Sequence, residues 1–75
     1  MTLDRTSLGT WQRETNGTLD TIKSKALQDG TILVTHTWTF GGELAGSRET
    51  VKDAAGWQRQ HDYLRDNGYT RVVAN

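Results

Sequence analysis

The chain predicts an α+β fold of two layers: a four-stranded antiparallel β-meander with one C-terminal α-helix packed on one face, followed by a short final strand or tail. Three observations point there. Asn16-Gly17, Asp29-Gly30 and Gly41-Gly42 punctuate the chain at hairpin spacing, and such dipeptides supply the positive φ of tight turns. Between the last two, Ile32, Val34, His36, Trp38 and Phe40 alternate with Thr31, Leu33, Thr35, Thr37 and Thr39, as a half-buried antiparallel strand requires. From Asp53 onward the period changes, and Trp57, His61 and Leu64 recur at i, i+4 and i+7, the apolar stripe of a surface helix.

Taken in order, residues 1–8 carry no period and read as a loose leader. The meander occupies about residues 10–51, in runs near Thr10–Thr15, Leu19–Leu27, Thr31–Phe40 and Glu43–Val51. A two-residue Asn16-Gly17 turn pairs Arg13 with Asp20 and Trp11 with Ile22. At the second hairpin, a two-residue loop would put Lys23 and Lys25 on the face of Val34 and His36. A three-residue loop, Gln28 to Gly30, pairs Ile22 with His36, Ser24 with Val34 and Ala26 with Ile32, and moves the lysines to the threonine face. A slip of one residue flips every side chain, so the three-residue loop with a bulge at Gly30 is preferred. The fourth run has no clear apolar side. Asp53 suits an N-cap and Asn67-Gly68 a left-handed C-terminal stop, which places the helix over about Ala54–Asn67. Tyr69, Val72 and Val73 then supply the final strand or tail over 69–75.

With 75 residues there is room for one domain. The absence of cysteine excludes disulfides, thiolate nucleophiles and Zn–Cys sites. Nine basic and nine acidic residues give a formal net charge of zero, unlike the basic surplus of a dedicated nucleic-acid or membrane-surface protein. No apolar run reaches the roughly 18 residues of a membrane span, and no signal peptide is recognisable. The expectation is a cytoplasmic domain. Six arginines against three lysines fit a high-GC genome, and a phage or mobile element would suit so short a chain.

Chemistry-bearing residues are sparse. His36 and His61 both fall on inward faces, but without metal-ligand spacing they read as core histidines, and neither a metal nor another cofactor is expected. Ser7, Ser24 and Ser47 lie in no nucleophile elbow, and no glycine-rich loop joins a strand to a helix. No enzyme and no small-molecule substrate follow from this. Trp38 and Trp57 are expected in the core. Trp11, near the start of an edge strand and beside Arg13, is expected half covered and hence a contact residue. The flat face of Thr35, Thr37 and Thr39 and the open strand edges invite another protein or a second copy. The function expected is therefore a small non-catalytic interaction module, of inhibitor or adaptor type, using Trp11, Arg13 and the threonine face. The alternative is a nucleic-acid-binding domain using Arg59 and Arg65 on the helix, or the lysines of the outer sheet face.

Overall fold

The computed structural model describes residues 7–72. Its order is β1 (Gly9–Thr15), β2 (Thr18–Ala26), β3 (Ile32–Phe40), β4 (Glu43–Lys52), α1 (Ala54–Asp66) and β5 (Thr70–Val72). All five strands form one antiparallel sheet in the order β4-β3-β2-β1-β5, with the helix as a second layer. The expected architecture is present, and the final segment is a strand that pairs with β1 through Thr10↔Val72, Trp11↔Arg71 and Gln12↔Thr70.

Both registers derived from turn chemistry are observed. Arg13 faces Asp20 and Trp11 faces Ile22 across the first hairpin. Across the second, Ile22 faces His36, Ser24 faces Val34 and Ala26 faces Ile32. The Gln28–Gly30 loop is closed by Leu27 N–H donating to the Thr31 carbonyl at 2.8 Å and Gly30 N–H donating to the Leu27 carbonyl at 3.2 Å. Asp29 Oδ1 accepts from the Thr31 amide at 3.0 Å and from its hydroxyl at 2.5 Å, which satisfies the amide that the bulge leaves outside the ladder. These two bonds, the hydroxyl first, hold the Asp29 carboxyl below its ordinary 3.8.

The helix starts and stops on the expected signals. The Asp53 carboxylate accepts from Gly56 N–H at 2.7 Å. At the other end Tyr69 N–H donates to the Leu64 carbonyl at 3.0 Å while Gly68 takes φ +83°, a Schellman closure that a side chain at Gly68 would strain. Arg13 reinforces it, donating from a terminal guanidinium nitrogen to the Asn67 carbonyl at 2.8 Å and lying 4.6 Å over the Tyr69 ring. A cation at the carbonyl end of a helix meets both its orphan acceptors and its dipole.

The core comprises Trp11, Ile22, Ile32, Val34, Trp57, Leu64 and Tyr69, with Leu8 packed against it. Two expectations are corrected here. Trp11, taken as a half-covered contact residue on an edge, is 7% exposed, because β5 pairs along that edge and makes β1 an interior strand while His61 of the helix packs against its ring. Trp38, taken as core, is only half-buried. The leader is corrected too: Ser7 is 1% exposed, its carbonyl accepts from Trp11 Nε1 at 2.9 Å and its hydroxyl from Trp57 Nε1 at 2.7 Å. One serine thus satisfies both buried indole donors, each of which would otherwise be costly. Residues 1–6 and 73–75, the rest of the expected leader and tail, lie outside the described residues.

Simple lengths explain why the helix covers only part of its face. It connects β4 at one edge to β5 at the other, and four strand spacings of about 4.8 Å make about 19 Å. Thirteen helical residues rise about 20 Å, which just spans the sheet. The long strands, nine residues in β2 and β3 and ten in β4, run about 30 Å, whereas a helix with side chains is about 10–12 Å wide. A helix narrower than the strands are long leaves part of the face uncovered. From Asp53 beside Lys52 to Asn67 beside Arg13, the helix leaves bare the corner of β3 and β4 nearest the Gly41-Gly42 turn. No helix among the described residues is long and apolar enough to cross a membrane.

Candidate functional site

The uncovered corner holds a shallow, open cleft of about 640 Å³ lined by Asp20, His36, Trp38, Ser47 and Arg48. Register explains its make-up apart from Ser47, which pairs with Thr37 of the other face. On the helix side of the sheet, Asp20, Trp38 and Gly46 share one row, and Ile22, His36 and Arg48 the next. Phe40, one row further out opposite Thr18 and Glu43, is 64% exposed.

Its walls are fixed. His36 Nε2 and Asp20 Oδ1 are 3.0 Å apart, and the His36 ring tilts against Trp38 with centroids 5.0 Å apart. Trp38 in turn lies across Gly46, where a Cβ would overlap its Cζ2 and Cε2 atoms. The register between β3 and β4 shifts between Trp38 and Thr39, so Trp38 faces Gly46 while Thr39 faces Leu44 and Ala45 is left over. A bulge of this kind re-aims the strand locally. Together the glycine and the bulge let the indole reach over β4, the outermost strand. The Asp20–His36 contact is the one pairing of a carboxylate with a basic side chain within 4.0 Å among the described residues, so Arg48 has no acidic partner there. The negative field of Asp20 reaches Tyr69, whose hydroxyl is raised above its ordinary 10.0 by burial first and by Asp20 second, with Arg13 opposing.

The residues singled out from the sequence are not brought together. Trp11 is in the core and Arg13 holds the helix end. Thr35, Thr37 and Thr39 occupy the opposite, helix-free face of β3, half-buried in their own row. Arg59 and Arg65 are exposed on the outer side of the helix. His36 and His61 do not form one site: His61 is 6% exposed and packs edge-on to Trp11 at 5.1 Å, two strands from His36. Its Nδ1 has no hydrogen-bond partner. No group of three or more metal-ligating side chains occurs among the described residues.

Sequence reasoning missed the cleft, although a signal was present. Asp20 falls on the inner face of β2 and Arg48 on that of β4, and charges on a nominally apolar face mean that the face is not wholly covered.

By fold and site this is a two-layer α+β domain whose helix leaves one corner of its sheet bare, with an aromatic and a cation on display there. Comparison with protein-family models, with curated proteins and with solved structures finds no match.

Proposed function

We propose that this domain is a non-catalytic protein-interaction module working in the cytoplasm, and that it engages another protein through the bare corner of its sheet. The observation that carries the reading is that Trp38 and Phe40 sit on the core side of β3 yet beyond the reach of the helix, with Phe40 64% exposed. Large aromatics beside an arginine are the residue types that dominate binding energy at protein interfaces. The cleft is open and shallow, which suits a partner's side chain better than a sequestered substrate. Affinity capture with mass spectrometry tests it. A partner retained by the native domain and lost with the Trp38→Ser/Phe40→Ser pair is expected; retention by both would overturn the reading.

A second reading is a nucleic-acid-binding domain. One observation favours it: His36, Trp38 and Phe40 alternate along β3 with Arg48 alongside, an arrangement able to stack bases. Asp20 and Glu43 on the same face and the zero net charge weigh against it. Gel shift across a salt series separates the two, since phosphate contacts weaken steeply with salt.

A further inference from the structure

We propose that β4 is a docking edge for an extended segment of another protein, one that carries an aromatic and an acidic residue two positions apart. The proposal rests on the interaction-module reading and specifies its partner. β4 is an outermost strand, and such a strand presents unpaired backbone groups along its free side. From Gly46 to Lys52 its register against β3 is unbroken, so an incoming strand finds a regular template there. An added strand places every second side chain on the helix side of the sheet. Two of those places are dictated by what they would meet. Opposite Gly46 the incoming side chain meets the Trp38 indole, which reaches over β4 because Gly46 has no side chain. Opposite Arg48, two residues along, it meets a guanidinium with no ion-pair partner among the described residues. An aromatic ring answers the first and a carboxylate the second.

Charge and composition select a foreign strand over a second copy. Antiparallel self-pairing centred on Arg48, Glu49 or Thr50 sets Arg48 against itself, Glu49 against itself or Arg48 against Lys52, and centring on Ser47 sets Arg48 against Gly46 and gives neither arginine a carboxylate. Like charges directly opposite are destabilising, and β4 has no aromatic residue to offer Trp38.

Selection from a displayed library of random decapeptides against the full chain tests the proposal. Winning peptides are expected to carry an aromatic and an acidic residue two apart. Arg48→Gln, an exposed change on an edge strand, is expected to weaken a synthesised winner by about tenfold or more. Gly46→Ala, which displaces the indole without touching Arg48, is expected to weaken it as well, with circular dichroism reporting an intact fold. Winners without that pair, or winners indifferent to Arg48→Gln, overturn the edge assignment while leaving an interaction module standing, as do winners that shift only the amides of Thr35, Thr37 and Thr39. Failure to select any peptide, with salt-sensitive binding of a single-stranded oligonucleotide, overturns both.

Discussion

The three tryptophans have different jobs, and mutation separates them. Trp57 is fully buried and Trp11 nearly so, each with its indole N–H bonded to Ser7. Truncating either to alanine is expected to cost about 3–5 kcal/mol, most of what a domain of this size has to lose. Trp38→Ala removes a half-exposed ring and is expected to cost about 2 kcal/mol or less. Urea denaturation of the three variants checks the order, and equal losses would contradict it. Tyr69 can be followed by titration. Tyr69 is buried and its hydroxyl is raised above 10.0, so the unfolded chain loses that proton first and stability falls as pH climbs from about 10 through the folded value. Absorbance of the phenolate is expected to develop late for one tyrosine, and Tyr69→Phe should remove that late step.

At the scale of elements, turns and helix ends were legible because their chemistry is local. Asn16-Gly17, Gln28–Gly30 and Asp53 to Gly68 each act within a few residues, so pairing arithmetic reached the observed registers. What decides the exposure of Trp11 and Trp38 is non-local. A three-residue strand, Thr70–Val72, buries the first by pairing with β1, and the width of a helix leaves the second open. Neither follows from periodicity, which marks a face as inward without saying how much of it is covered. The Asp29 loop offers a test at this scale. Its carboxyl is depressed by bonds made only in the folded hairpin, so its contribution is present above the unfolded value and lost as pH falls through the folded one. Asp29→Asn is expected to flatten the decline in urea midpoint between about pH 5 and about pH 2.

For the molecule as a whole, the small core is closed by segments from both ends of the described chain. Ser7 and Leu8 enter from one side, Tyr69 and β5 from the other, and Arg71 donates to the Leu8 carbonyl at 2.9 Å. Shortening the chain after Asn67 removes Tyr69, β5 and the Schellman bond together. That truncation is expected to abolish cooperative unfolding, read by circular dichroism on heating. Its effect should far exceed what three exposed strand residues suggest, because the loss propagates to Trp11.

The match between helix length and sheet width sets a rule for growth. Each strand added to the sheet widens it by about 4.8 Å, and about three further helical residues would be needed to roof it. A strand arriving from another chain at β4 lands beyond the first turn of α1, where the Trp38 indole is the cover that it meets. A docked segment therefore keeps most of its other side chains in water, and polar residues are expected at the positions flanking its aromatic and its acid.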